Sequence, residues 1–458
     1  MPQQTFSVSE NVKIQIRACQ NRVTVVGWDD ARTVAADYAA RQEGDTIFVE
    51  NASKVTLRVP RSASVTISDC EADVRVDDLA GHVELVNIGG DVALRNLRGE
   101  TIARDVDGAL IAKGVVSLRG EGKWKGDVAL RDVKNVQTAE VEGAASVNDV
   151  DTAVIRELEG DLVAKQVKSL KGKGTWEGDA VLRSVESAEI EEIEGDASLG
   201  DVGTITIQTL GGDLAAQGVR GALTVDEVKG DVSLRDVGGR VALEHVGGDF
   251  IASGVRDAVS ATDIEGDAIV SFDTVAGLTL CAEGDVVINL PEKADAEVVL
   301  DAPRGDLVAR AGIKVIEEDE SHLRGTIGNG GVKIQAESTN GDLIVRQSGT
   351  ITCCEETEPH GRPFARMGQQ IAAEVRQSVR ESLGDMRFPE GHHRRHFAFR
   401  IHRHDRRHDY EPEPREERVE EKPRGPGAGS PERKAILDAI ARGELSVDDA
   451  IKKLTGED

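Results

Sequence analysis

The residues with the clearest chemical potential in this 458-residue chain are aspartates that recur on a beat. Gly-Asp stands at Gly160, Gly178, Gly195, Gly212, Gly230, Gly248, Gly266 and Gly284, at intervals of 17 or 18. Stacked carboxylates suggest calcium, and calcium-binding β-rolls also use nine-residue phrases. Those phrases place glycines at alternate positions and an aspartate on the turn, so that carbonyls and carboxylates surround each ion. Here the phrase is G-D-V-x-L-x-x-V-G, with apolar residues where the carbonyl-bearing glycines would sit. Asp231, Asp249, Asp267 and Asp285 are therefore expected to bond nearby backbone N–H groups in Asx-type turns. Weak uptake of a divalent ion by stacked like charges stays open as the alternative.

Three other groups could do chemistry. Residues 391–410 hold His392, His393, His396, His402, His404 and His408 among six arginines. Imidazoles can capture a transition metal, but His392-His393 and His402-x-His404 lack a structural zinc spacing. A basic tail for an anionic partner, attraction to the acidic remainder of the chain and a solvated linker compete with that reading. The adjacent Cys353 and Cys354 suggest redox or soft-metal chemistry, yet no third ligand is spaced for it, and two small residues closing a strand is the plainer reading. Trp124 and Trp176 lie beside Lys123, Lys125 and Lys173, as a sugar-stacking platform would require. Both fall at an apolar place of the phrase, with Gly120, Gly122, Gly172 and Gly174 just ahead to make room, which predicts burial at a corner.

The elements that must position these residues follow from the repeat. In residues 230–247 the apolar places are Val232, Leu234 and Val237, then Val241, Leu243 and Val246. A spacing of two marks a strand with one buried face. The next places turn the chain, and glycine there is expected to relieve a positive φ. Two phrases make a coil of about 18 residues that cannot bury its own apolar face and so stacks on its neighbours, which is a β-solenoid. Gly108, Gly160 and Gly212 lie 52 apart and head the similar phrases "DGALIAKGV", "GDLVAKQV" and "GDLAAQGV", as internal duplication would leave them.

The expected organisation is an N-terminal β region over 1–71 that caps the solenoid, solenoid repeats over 72–352, a segment 353–429 and a helical pair over 430–458. Within 353–429, "ARMGQQIAAEVRQSVRESLGDM" has Ile371, Val375 and Val379 on one helical stripe, and a His/Arg-rich run and a Pro/Glu-rich linker follow. In the last segment Ser430 caps, Pro431 starts and Gly443 stops one helix, and Ser446 caps a second. Two helices this short are not stable alone. Their stripe of Ile436, Ile440, Leu445, Ile451 and Leu454 predicts an interaction surface.

Composition narrows the function. Aromatic residues are 3% of the chain against 49 glycines, so the core is expected to be thin and built of Val, Leu, Ile and Ala. A net charge of −27 argues against nucleic-acid binding by the acidic solenoid. No apolar run reaches the ~20 residues of a membrane helix, and the first residues lack a secretory pattern, so a cytoplasmic protein with reduced thiols is expected. Five cysteines without CxxC spacing do not make a disulfide framework. A polysaccharide-cleaving β-helix would need a walled groove with clustered carboxylates, and no insertion breaks the beat over 160–284.

The stretches "VTVVGWDDARTVAA", "VTLRVPRSASVTISD" and "GHVELVNIGGDVALRNL" resemble the bacterial "putative-adhesin" β-strand-repeat family, of unknown function, over roughly residues 10–350. The final 29 residues resemble the SHOCT-like helical pair found in some members. The resemblance implies a bacterial β-solenoid linked to envelope stress or surface functions, and it supplies no catalytic residue. Without an export signal, the chain departs from the adhesin label.

The combined expectation is a non-enzymatic scaffold, without cofactor or small-molecule substrate. A protein partner, or self-association, is expected through the C-terminal helices. The alternative is a ligand-binding module, adhesive or stress-sensing, that reads a polar surface through outward residues such as Arg235, Arg240 and Glu244. Those residues mix both signs and are expected to form no consistent row. A membrane-surface variant of it rests on a peripheral contact through 366–408.

Overall fold

The computed structural model describes residues 4–347 apart from Ala31 and Tyr38, and every regular element among them is a β-strand. The alternation read from sequence is the alternation of burial. Val232–Arg235 runs buried, partly buried, buried, exposed, and in Val241–Val246 the apolar places again point inward. Val232, Leu234, Val237, Val241, Leu243 and Val246 are all at most 2% exposed. Each coil thus offers two short strands and two corners to a single aliphatic core.

Successive coils pair in parallel register and form two ladders, one on each side of that core. In the first ladder Val232 pairs with Phe250 and Leu234 with Ala252; in the second Val241 pairs with Val259 and Leu243 with Ala261. Two fifteen-residue strands, Leu110–Trp124 and Leu162–Trp176, round a corner without a break and serve both ladders.

The corners correct one expectation. The left-handed backbone position just after the first strand is glycine, as expected, at Gly114, Gly218 and Gly254, but in other coils it is a polar residue: Asp132, Asp149, Gln166, Ser184, Asp201 and Asp236, each with φ between 52° and 54°. Asp and Asn tolerate this region because their short side chains bond locally. The glycines of the Gly-Asp pairs are needed for a different reason. A Cβ on Gly126 would lie 2.5 Å from the carbonyl carbon and oxygen of Gly108, and one on Gly160 would lie 2.7 Å from those of Gly143. Backbone passes directly over backbone there, and only glycine leaves the room.

Both ends depart from simple sequential stacking. Lys13–Arg17 is sandwiched between Thr46–Glu50 and Ser64–Cys70, and Arg22–Trp28 between Lys54–Pro60 and Asp73–Asp77. The first coil therefore lies inside the second. The other end mirrors this: Val332–Ser338 and Leu343–Gln347 slot between the coil of Leu278–Ala282 and Val286–Leu290 and the coil of Ala296–Asp301 and Leu307–Arg310. Across position 71, Ser64–Cys70 stacks directly on Val83–Ile88.

Antiparallel strands cover the outer coils. Arg41–Glu43 lies on Thr46–Glu50, and Thr33–Ala36 lies on Lys54–Pro60 with Gln4–Ser7 beyond it. At the other end His322–Ile327 pairs antiparallel with Ala296–Asp301, and Ile313–Glu318 pairs antiparallel with His322–Ile327. This last strand carries the exposed Val315 and Ile316 on an edge protected by a register shift and by Lys314, Glu317 and Glu318.

The corner geometry makes a direct prediction. Gly99→Ala places a methyl 2.1 Å from the Gly81 carbonyl oxygen, whereas Gly312→Ala meets nothing within 4 Å. Gly99→Ala is expected to destabilise the fold by about 3 kcal/mol, the upper part of the usual overpacking range, and Gly312→Ala by under about 0.5 kcal/mol. Thermal and urea unfolding followed by circular dichroism test this; equal behaviour of the two variants would remove the clearance argument.

Candidate functional site

The aspartate at the start of each phrase opens the first strand, and in-register stacking places it over its counterpart in the next coil. Its Oδ1 accepts the backbone N–H of that counterpart. The chain of bonds runs Asp161, Asp179, Asp196, Asp213, Asp231, Asp249, Asp267 and Asp285 at 2.8–3.1 Å. It continues through Asp342 to Asp306, both at 2.8 Å, following the inverted order of the last coils. These bonds pass between coils and not within one turn, which corrects the Asx-turn expectation. Ala109 and Ala144 accept the role of donor to Asp91 and Asp127 but return no carboxylate, so the ladder is interrupted there.

The ladder holds like charges in a row. Burial pushes the Asp213 carboxyl above the ordinary carboxylate range, and Asp196 and Asp231 on either side push it further. Burial likewise raises Asp127 against the opposing effect of the Ala144 N–H. Among the described residues, no group of three or more His, Cys, Asp or Glu is placed to hold a metal ion.

Four residues further along the same strands the structure corrects the expectation of mixed signs. The last outward position of the first ladder runs in register from Arg95 through Lys113, Arg131, Asn148, Lys165 and Arg183. Gly200, Gln217, Arg235, Ser253, Ser271 and Asn289 follow, and Arg346 and Arg310 end the row. Beyond Arg95 the same row reaches the acidic Asp77, which pairs with Arg75 of its own strand; of the fourteen positions from Arg95 onward, eight are Arg or Lys and none is acidic. The outward position between the two charged rows carries no charge in any of the same fourteen coils, and eight of its residues are Ile or Val, among them Ile111, Ile251 and Ile269. Val163 and Val181 in that row are already covered. Arg235 belongs to this pattern; Arg240 and Glu244 do not, since Glu244 lies on the second ladder and Arg240 immediately before it.

The second ladder has no comparable uniformity. Its Glu227, His245 and Asp263 stand in register, and His245 Nδ1 lies 2.9 Å from Asp263 Oδ2. The Asp263 carboxylate raises the His245 pKa. Such an exposed pair contributes about 0–1 kcal/mol. The corner grooves are shallow and polar. One, of about 540 Å³, is lined by Gln166, Lys168, Ser184, Glu186, Asp201 and Arg220, unlike the enclosed apolar pockets of small-molecule sites.

Trp124 and Trp176 are buried, with their indole N–H groups donated to the carbonyls of Ala103 at 3.2 Å and Arg156 at 3.0 Å. Gly120 and Gly172 lie beneath the rings, and Gly122 and Gly174 take positive φ at the corner. Sequence spacing missed one pair of thiols. Cys19 and Cys70 are 51 residues apart, yet the inverted first coil stacks them, and the Cys19 N–H donates to Cys70 Sγ at 3.3 Å. The hydrogen bond between the side chains brings Cys19 down to about 7 and pushes Cys70 up. Both are 1% exposed, so they serve as core residues closed to soluble reagents.

Other expected sites lie outside the described residues. These are Cys353 and Cys354, the helix at 366–384, the six histidines His392, His393, His396, His402, His404 and His408, and the stripe of Ile436, Ile440, Leu445, Ile451 and Leu454.

Two parallel ladders around one thin aliphatic core define a β-solenoid. The chain belongs to the family described as "Toastrack DUF4097", which it matches over residues 5–346. Among curated proteins none matches. A solved structure described as that "of a putative cell adhesion protein from Clostridium sporogenes ATCC 15579" is 8% identical, covering 76% of this chain and 99% of that one, with a TM-score of 0.11. A likeness that low carries no argument for this chain.

The aspartate ladder predicts an unusual pH response. Asp213 binds its proton more tightly in the folded chain than in the unfolded one. Its contribution therefore favours folding at low pH and is lost as pH rises from the ordinary carboxylate range through the raised value. Asp213→Asn keeps an acceptor oxygen at the ladder while removing the charge, so the variant is expected to melt at or above the parent temperature at pH 7, with the difference vanishing toward pH 4. Asp213→Ala, which leaves the Asp231 N–H unbonded, should melt below the parent at both. Scanning calorimetry across this range decides; a lower melting temperature for Asp213→Asn at pH 7 would show that the charge stabilises the stack.

Proposed function

We propose that this protein is a non-enzymatic scaffold, a β-solenoid of two parallel ladders that carries a C-terminal module for recruiting a protein partner. The observation that carries this reading is the inversion of both terminal coils. Each chain end of the solenoid is held between two neighbours, and antiparallel strands lie over the outer coils. Such closure suits a self-contained spacer better than a unit that adds coils end to end. The groups that first suggested chemistry have structural duties: the aspartates hold neighbouring N–H groups and the indoles fill the core. Partner recruitment is assigned to the stripe of Ile436, Ile440, Leu445, Ile451 and Leu454, which the sequence pattern places on two helices too short to be stable alone.

The test is a full-chain Ile440→Asp/Ile451→Asp variant compared with the parent by proximity labelling and co-purification from a bacterial host, with the melting curve as control. Specific companions of the parent should be lost from the variant while the solenoid melts unchanged. Companions retained at parental levels would sink the recruitment role, and any turnover that survives rigorous purification would sink the non-enzymatic one.

A further inference from the structure

We infer that the first ladder is an interface, and that it takes a second copy of this chain. The inference goes beyond the scaffold reading and uses other residues. The outward surface of this ladder has three parallel rows: aspartates at one edge, uncharged and largely aliphatic residues in the middle, and Arg or Lys at the other edge. One symmetry operation matches all three at once. A two-fold axis parallel to the direction of stacking turns the face over and exchanges its edges, while every coil stays at its own level. The acidic row then faces the basic row of the copy, and the middle row faces itself. A two-fold axis along the strands would instead set like charges against like.

The levels agree in detail. Asp127 immediately precedes the strand that carries Arg131, and Asp161 and Asp231 stand in the same way ahead of the strands of Lys165 and Arg235. In the copy, Asp127 comes opposite Arg131 and Arg131 opposite Asp127, as an isologous contact requires. Each ladder aspartate gives Oδ1 to a neighbouring N–H, and a carboxylate has a second oxygen for a guanidinium.

The size is adequate as well. A four-residue strand spans ~13 Å and fourteen coils ~65 Å, so the face measures about 850 Å², from which the part over the already covered Val163 and Val181 is to be subtracted. A standard interface buries about 800 Å² on each partner, and two sheets pack face to face when their strand directions lie within about 30°. A linear polyanion would engage the basic row alone. It would leave the aliphatic row bare and run ~13 Å from a row of carboxylates, so a second copy is the better match.

The experiment uses the full chain carrying Ile440→Asp/Ile451→Asp, so that association through the C-terminal stripe does not contribute. Sedimentation equilibrium should give a dimer that weakens as salt rises. Adding Arg131→Glu, Arg183→Glu and Arg235→Glu should raise its Kd by about a hundredfold, near 2.7 kcal/mol, with an unchanged circular dichroism spectrum. In a chain with Cys281, Cys353 and Cys354 replaced by Ser, Ile251→Cys should form a disulfide with its own counterpart under mild oxidation. Ala242→Cys on the second ladder should not. A monomer at every concentration, a dimer indifferent to the three reversals, or cross-linking at 242 in place of 251 would each overturn the proposal. Polyphosphate is the probe for the competing occupant: a parent that stays monomeric, binds polyphosphate and loses that binding on the three reversals assigns the row to an anion and overturns self-pairing.

Discussion

Everything in this fold depends on how closely one coil can approach the next. Parallel strands must come within ~4.8 Å to pair, and at the corners, where there is no pleat to separate them, backbone crosses backbone. The Gly126-over-Gly108 and Gly160-over-Gly143 crossings leave no volume for a Cβ. Register is favoured by this constraint, because a coil settles where its own corner glycine meets the backbone of its neighbour, as Gly126 meets Gly108 and Gly90 meets Ala72. Once register is set, each side chain meets its equivalent above and below, and a single residue choice is multiplied into a row. The aliphatic core, the aspartate ladder and the basic edge are three results of that multiplication.

The rows differ greatly in what they contribute. Inward Val, Leu and Ile, each worth about 1.5–3 kcal/mol when buried, dominate stability. The aspartate ladder works against itself, since it gains a hydrogen bond per coil but holds carboxylates near one another, and the raised Asp213 records the balance. Surface pairs such as His245 with Asp263 add little by comparison. The aspartate edge thus has a structural duty, whereas exposed charges such as those of the basic edge add little to folding, which makes that edge the better candidate for recognition.

The core was legible in the sequence because it rests on local spacing. Two-residue alternation around Val232, Leu234, Val241 and Leu243 is enough to place them inward, and the glycines ahead of Trp124 and Trp176 announced the burial of both rings. The basic row was hidden for a physical reason. Only some coils hold Arg or Lys at this place, and neutral residues such as Asn148, Gly200 and Gln217 interrupt the row, so it does not stand out although each member lies four residues after the aspartate place. Order adds to the difficulty: Arg346 lies between Asn289 and Arg310 in space, although it follows both in the chain. The Cys19 and Cys70 stack was hidden by the same inversion at the other end. The corner glycines have two causes, positive φ at Gly114, Gly122, Gly174, Gly218 and Gly254 and lack of room at the Gly-Asp pairs, and sequence does not separate them.

The inverted ends explain how an open-ended repeat becomes a finite object. In a sequential stack the terminal coil has one neighbour, so it frays first and exposes a pairing edge. Here Lys13–Arg17 and Val332–Ser338 each have neighbours on both sides, and the coils left outermost, Thr46–Glu50 and Ala296–Asp301, are internal to the chain and carry an antiparallel strand. Freeing either outer coil therefore means disturbing the coil beneath it. The arrangement also gives contact order at the ends that plain stacking lacks, because Thr46–Glu50 can settle only after Lys13–Arg17 has a place in the ladder. In a solenoid closed in this way the chain's own strands cover the outer coils, while the acidic and basic rows run along the side of the stack.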